Sequence, residues 1–189
     1  METLNLRPKN GFTLIELLVT LVIMAILISL GIPSFTKMTE RAEFRSDLSL
    51  LHRTISMARA KATYTGWSVA VCPLDTSNKC HNDWTQSLTV FEDRNRNSQK
   101  DNDEPTIYTI KATNERRTPR KYSRNSPITF NPQGSAFGFN GTLTHCLRGG
   151  STFGGTIIIS NTGRIRLGKD TNGDGIAENS QGRNIDCRG

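Results

Sequence analysis

The sequence is short of the side chains from which most enzymes are built. It has three histidines, widely separated at His52, His81 and His145. It has neither an HExxH zinc motif nor the GxSxG turn of a serine hydrolase. A Rossmann glycine fingerprint is missing too, so no dinucleotide site is readable. There is no CxxC pair, which removes the usual zinc knuckle although four cysteines are present. No repeat of solenoid length is visible. With 35% hydrophobic and 22% charged residues, a long disordered chain is excluded. What remains is 189 residues, enough for one modest domain plus an extra segment. The chain is basic, with 24 Lys and Arg against 17 Asp and Glu, a net charge of +7.

The apolar residues gather near the N-terminus. Residues 1–11 are polar, carry Arg7 and Lys9, and end in Gly11. From Phe12 to Ile32 the chain is largely apolar, with one charge, Glu16. At about 1.5 Å per residue this run reaches across a hydrocarbon core. A secretory signal has a shorter apolar core and a small-residue cleavage site behind it. Here the small residue stands in front, so a cut after Gly11 leaves the helix on the mature chain. Arg7 and Lys9 hold the leader in the cytoplasm, which puts the body across the inner membrane. A carboxylate in a span costs roughly 2.5–3.5 kcal/mol at the bilayer centre and less near the interface. Glu16 therefore either reaches the interface or has a partner. The α-amine freed at Phe12 of a neighbouring subunit would be such a partner.

The order Gly11-Phe12-Thr13-Leu14-Ile15-Glu16 resembles the prepilin peptidase site of type IV pilins and type II secretion pseudopilins. The resemblance implies cleavage after Gly11, N-methylation of Phe12, and a role for Glu16 in docking subunits during assembly. Pro33 falls where pilins often carry a helix-loosening proline.

Helical spacing continues beyond Pro33. Phe35, Met38, Ala42, Arg45, Leu48, Leu51, Ile55, Ala58 and Ala62 recur at steps of three and four. They predict one helix from about Phe12 to about Thr63, ended by Gly66. Its parts are a leader (1–11), a transmembrane segment (12–32) and an amphipathic continuation (33–65). Residues 66–189 read as a β-rich periplasmic or extracellular domain. Strands are expected at Trp67–Cys72, Ser87–Glu92, Thr106–Lys111, Ile128–Asn131, Ala136–Phe139, Thr156–Ser160 and Arg164–Leu167, separated by Gly, Pro and Asn. The fold class is α+β, a long helix followed by short antiparallel strands.

Cys72-Pro73, Phe91-Glu92-Asp93, Asp103-Glu104-Pro105 and Gly163-Arg164 together resemble the pattern of the GspH/FimT (FimU-like) minor pilin family. That resemblance implies a pilin-like fold and a structural rather than enzymatic role. It implies other minor and major pilins or pseudopilins, the prepilin peptidase and the inner membrane as partners. The chain would be single-pass, with its N-terminus cytoplasmic and its body periplasmic, and would enter a pilus or pseudopilus on assembly. Priming of type IV pilus assembly near the tip is the leading expectation. DNA capture for natural transformation and membership of a type II secretion pseudopilus are the alternatives.

Four cysteines in an extracytoplasmic body favour disulfides over zinc. Three pairings are open. A local Cys72–Cys80 loop and a Cys146–Cys187 staple are the expected set, contributing about 2.5 and 4 kcal/mol by loop entropy. Oxygen side chains also cluster twice. The stretch Asp93–Glu104 has Ser98 where a calcium loop needs glycine, and reads as a hairpin turn. Asp170, Asn172, Asp174 and Glu178 with Gly175 come nearer to a calcium loop, and calcium is the one cofactor the sequence suggests. Gly163–Asp170 has the outline of a P-loop. Asp170, however, replaces the residue that would hold magnesium, and an acid there repels phosphate.

Two basic groups are candidates for duplex DNA. One holds Arg116, Arg117, Arg120 and Lys121, and the other Arg164, Arg166 and Lys169. In a strand, Arg164 and Arg166 point to one face and can meet neighbouring phosphates. Gly-Arg-x-Arg also resembles the DNA-binding motif of the minor pilin of natural transformation. The competing reading is a solvated basic face, or one that meets acidic neighbouring subunits.

Overall fold

The computed structural model describes residues 11–113, 118–148 and 152–187, apart from the side chains of 30–34. The leader before Gly11, Arg116 and Arg117 thus lie outside the described residues, as does the side chain of Pro33, whose backbone continues the helix. Helix α1 (Leu14–Thr65) is followed by β1 (Val69–Pro73), β2 (Leu88–Glu92), β3 (Thr106–Ile110), β4 (Arg120–Tyr122), β5 (Ile128–Phe130), β6 (Gly141–Leu147), β7 (Phe153–Ile159) and β8 (Ile165–Leu167). The chain divides into two units, Met1–Thr39 and Glu40–Gly189.

In the first unit the described apolar side chains, Phe12 to Ile28, are exposed on every side of the helix. Among the described residues no helix is long and apolar enough to cross a membrane. The described side chains of this apolar run end at Ser29, short of the roughly 20 residues that a span takes.

In the second unit α1 is amphipathic. Phe44, Leu51, Ile55, Ala58 and Ala62 are buried, and Leu48 is partly so. Their alternating steps of four and three make one stripe. The stripe begins at Phe44, not at Phe35 as the spacing predicts, and Ala42 and Arg45 of that spacing are exposed. Phe35 and Met38 are exposed as well. The helix ends at Gly66, whose φ of 72° takes the left-handed conformation that a Cβ disfavours.

The strands form two antiparallel sheets, in the orders β3-β2-β1-β5 and β4-β6-β7-β8. One face of each meets the helix stripe. Val69, Val71, Leu88, Val90, Ile128 and Phe130 come from the first sheet, and Leu143, Ile157 and Ile159 from the second. Trp84 and Tyr122 join the same core, with ring centroids 5.1 Å apart. The far faces are covered too. Ala70, Cys72 and Phe91 pack against Leu74 and Cys80 on one sheet, and Cys146 packs with Ile176, Ile185 and Cys187 on the other. This double covering leaves β1 and β7 buried along their whole length.

Two strands differ from the sequence reading. Ala136–Phe139 is a turn, and the strand is β6, just after it. Strand β4, Arg120-Lys121-Tyr122, lies inside the window read as a basic surface.

The register of α1 is testable by two alanines, scored by thermal or urea unfolding of the detergent-solubilised chain. Phe44 stacks on Phe153 and His145, so Phe44→Ala should cost about 3–5 kcal/mol. Arg45→Ala, on the exposed side, should stay within about 0.5 kcal/mol. Equal losses would mean that the buried face is misassigned.

Candidate functional site

The start of α1 is capped by its own sequence. The Glu16 amide donates to Thr13 Oγ1 at 3.2 Å, and the Leu17 amide donates to the Thr13 carbonyl at 3.2 Å. Thr13 is therefore the N-cap and Glu16 the third helical residue, the Thr-x-x-Glu order of a capping box. An acid in the first turn also complements the helix dipole. Phe12 is 81% exposed just ahead of the cap. The motif thus presents an exposed phenylalanine, a capped helix and a carboxylate within one turn. The cap was readable in the sequence as Thr13 three residues before Glu16, but the peptidase motif overlays it.

Cys72 pairs with Cys80 and Cys146 with Cys187. The first bridge folds residues 73–80 over the outer face of β1. The second ties the C-terminal segment to β6, with a Cα–Cα distance of 5.6 Å.

The oxygen-rich turns use their oxygens internally. Asp170 accepts from the amides of Gly173 (2.7 Å) and Gly175 (2.8 Å). Asn172 accepts from the amide of Asp174, and Asp174 from that of Ile176. The Glu178 carboxylate accepts from the backbone and hydroxyl of Thr171, which lowers its pKa. Each of these side chains thus accepts hydrogen bonds within the turn itself. Among the described residues no three His, Cys, Asp or Glu come together to hold a metal. The Asp93–Glu104 hairpin behaves likewise. Asp93 accepts from the amides of Asn97 and Ser98, and Glu104 from those of Arg94 and Asp101.

The basic candidates separate. Arg164, Arg166 and Lys169 are exposed at β8, an outer strand. Ile165 packs against the core, so Arg164 and Arg166 point away from it. Gly163 sets the strand's entry: its φ is 76°, and a Cβ there would lie 1.8 Å from the Gly134 carbonyl. Lys121 is exposed on β4, the opposite outer strand of that sheet and about 14 Å from β8 at ordinary strand spacing. Arg120 is a correction. It is 4% exposed, and its guanidinium donates to the carbonyls of Trp84 (2.9 Å), Gln86 (2.8 Å) and Lys111 (3.3 Å). Burial lowers its pKa to about 10, which leaves it charged at neutral pH. It holds the Trp84 loop to the second sheet and is closed to phosphates.

A cavity of about 480 Å³ in the second unit had no sequence signal. Asp47, Leu50, Tyr108, Ile110, Arg120 and His145 line it. His145 is 1% exposed and stacks on Phe44, with ring centroids 5.5 Å apart. Neither of its ring nitrogens has a hydrogen-bond partner. Its Nε2 lies 3.8 Å from Asp47 Oδ2. Burial, aided by the Arg120 charge, lowers the His145 pKa to about 4. Burial and the nearby Glu43 raise that of Asp47.

An N-terminal methylation motif, a long helix and a disulfide-bonded antiparallel body define the class of type IV pilin-like subunits. The chain belongs to the GspH family, whose model, described as type II transport protein GspH, matches residues 48–163. The model of the prokaryotic N-terminal methylation motif matches residues 6–32. The family is one of structural pilins and pseudopilins. No curated protein matches the chain. Two crystal forms of the Pseudomonas aeruginosa (strain PAO1) type IV minor pilin FimU are similar to it. One is 19% identical with a TM-score of 0.49, covering 69% of this chain and 92% of that one. The other is 17% identical with a TM-score of 0.46, covering 66% and 92%.

His145 generates a pH prediction. Its pKa falls from 6.5 unfolded to about 4 folded, so the unfolded chain binds the proton first as pH drops. Stability present above pH 6.5 is therefore lost progressively towards pH 4, about 2 kcal/mol of it by pH 5. Melting curves of the wild type should fall more steeply from pH 8 to 5 than those of His145→Phe. Parallel pH dependences would contradict a neutral buried imidazole.

Proposed function

We propose that the chain is a minor pilin that takes part in type IV pilus biogenesis, at or near the filament tip, where it primes assembly. The observation that carries this reading is the N-terminal motif: Gly11, an exposed Phe12, the Thr13 cap and Glu16, followed by a helix apolar on every side. A helix of that kind needs an apolar partner, either lipid or the helices of other subunits. Prepilin peptidase cuts after Gly11, Phe12 is methylated, and the segment 12–32 anchors the chain in the inner membrane. The leader is cytoplasmic and the body periplasmic. Glu16 draws the freed α-amine of an adjacent minor or major pilin and sets the docking height of the incoming helix. A secretion pseudopilus uses the same N-terminal chemistry, so the readout must separate the two machines.

Intact-mass analysis of the membrane-extracted protein should give a chain that starts at methylated Phe12; a chain that keeps Met1 in cells with active prepilin peptidase contradicts the proposal. Glu16→Ala should be processed yet assemble poorly, with fewer pili and unchanged secretion of exoproteins. A secretion defect with normal piliation would move the chain to a pseudopilus. Antibody against the body should label filament ends rather than shafts.

A second reading, capture of duplex DNA, is favoured by Arg164 and Arg166 standing exposed on the outward face of β8 with Lys169 just beyond. Three neutralised phosphates predict that log K falls with log salt at a slope of about −2.7. Binding should then weaken roughly 40-fold from 50 to 200 mM salt. Gel shifts with the detergent-solubilised chain should show this slope and similar affinity for unrelated duplexes. Arg164→Gln with Arg166→Gln should flatten the slope by about 1.8. Equal binding by wild type and double variant would remove β8 as the DNA site.

A further inference from the structure

The outer face of the second sheet holds a polar cleft of about 520 Å³ at its β4 side. Its floor includes Lys121 of β4, Ser123 and Arg124 just beyond, and Thr142 of β6. Thr142 is next to Leu143, which faces α1, so its own side chain faces outward. The far wall comes from the C-terminal segment, with Asn179, Gln181 and Ile185. That wall is held in place. Asn179 Oδ1 accepts from the amides of Gln181 (2.8 Å) and Arg183 (3.1 Å), which closes a tight turn. Ile185 packs on Cys146 and Cys187, the bridge that ties this segment to β6.

The chemistry of the cleft is one-sided. Lys121 and Arg124 line it, and no Asp or Glu does. Neither cation is in an ion pair among the described residues. The Arg124 guanidinium donates to the Asn140 carbonyl and to Asn140 Oδ1, which fixes its plane and leaves one terminal nitrogen unused. The hydrogen bonds inside the lining use up acceptors. Asn140 Oδ1 takes Arg124, Asn179 Oδ1 takes two amides, and Gln181 Oε1 takes the Arg183 guanidinium. Ser123 Oγ accepts from the Thr142 amide at 2.9 Å. What is left over is donors: the side-chain amide N–H groups of Asn179 and Gln181, and the hydroxyl protons of Ser123 and Thr142. The acids of the same segment are engaged elsewhere. Asp174 accepts from Asn172, Asn184 and the Ile176 amide, and Glu178 from Thr171. Donors and two cations without an acid are the complement of an oxyanion. The volume lies within the range of small-molecule sites, about 300–1,000 Å³, and has room for more than an ion alone.

We propose that this cleft binds a phosphate group, free or carried on a sugar, with Lys121 and Arg124 on its oxygens and the donors of Ser123, Thr142 and Asn179 around it. The two cations have different parts. Arg124, already fixed by Asn140, offers a directed N–H, while the flexible Lys121 ammonium supplies a point charge. The site is on the opposite side of the sheet order from β8 and uses neither Arg164 nor Arg166. It does not depend on the filament reading.

The test is calorimetric titration of the detergent-solubilised full-length chain with inorganic phosphate, glucose 6-phosphate and glucose, each up to about 10 mM. Both phosphate probes should give saturable binding and glucose none. Tighter binding of glucose 6-phosphate assigns the site to a phosphorylated sugar, and equal binding assigns it to free phosphate. Lys121→Gln, at an exposed position, should weaken the phosphate probes at least about tenfold, the loss of one charge-assisted hydrogen bond. Lys121→Arg should retain binding. Lys61→Gln removes the same charge from α1, on the other face of the sheet, and should change nothing. Melting and thiol titration of each variant confirm that the fold and both disulfides persist. No saturable binding of either phosphate probe, glucose binding as tight as its phosphate, unchanged binding by Lys121→Gln, or an equal loss in Lys61→Gln would overturn the proposal. A DNA duplex that binds through Lys121 while neither small phosphate does would also overturn it, and would return Lys121 to the DNA reading.

Discussion

The body depends on one stripe of α1. The two sheets are separate hydrogen-bonded units, and no strand of one pairs with a strand of the other. What they share is Leu51, Ile55, Ala58 and Ala62, against which both inner faces pack. The small alanines let the sheets approach the helix closely, while Phe44 extends the stripe to Leu147 and Phe153 of the second sheet. Arg120, Trp84 and Tyr122 brace the same junction from the other side. A buried guanidinium would be costly alone, but here it is satisfied by main-chain carbonyls. Two disulfides then hold down the segments that cover the outer faces.

The one helix carries two kinds of surface. From Glu40 onward one stripe of its apolar residues, from Phe44 to Ala62, is used inside the body. Before Thr39 its described apolar residues face outward, behind a capped start that sets Phe12 and Glu16 within one turn of each other. That is the layout of a part made to be packed by something else, and it gives the family assignment a physical sense.

Much of the fold was legible because it is encoded locally. The helix shows in its spacing and in Gly66, and most strands show as β-branched runs between turn residues. The pattern of Phe91, Asp93 and Glu104-Pro105 marks a hairpin whose acids cap its own amides. What was not legible depends on distant partners. Arg120 looks like surface charge in a basic window, and only carbonyls 34–36 residues away make it a core residue. Strand β4 is three residues long and charged, so it exists because β6 lies beside it. The choice of Phe44 over Arg45 is a one-residue phase shift that periodicity alone does not resolve over a short stretch. Asp170 and its neighbours share the spacing of a calcium loop, and they also accept from amides of their own turn.

The claim that α1 is the common core of both sheets is most directly tested by native-state hydrogen exchange on the full-length chain in detergent, with denaturant raised in steps. The amides of residues 51–62, of β1 and β2, and of β6 and β7 should converge on one opening free energy, since neither sheet has a core without the helix. Exchange of residues 51–62 while either sheet stays protected would show that the sheets stand without it, and would contradict the account.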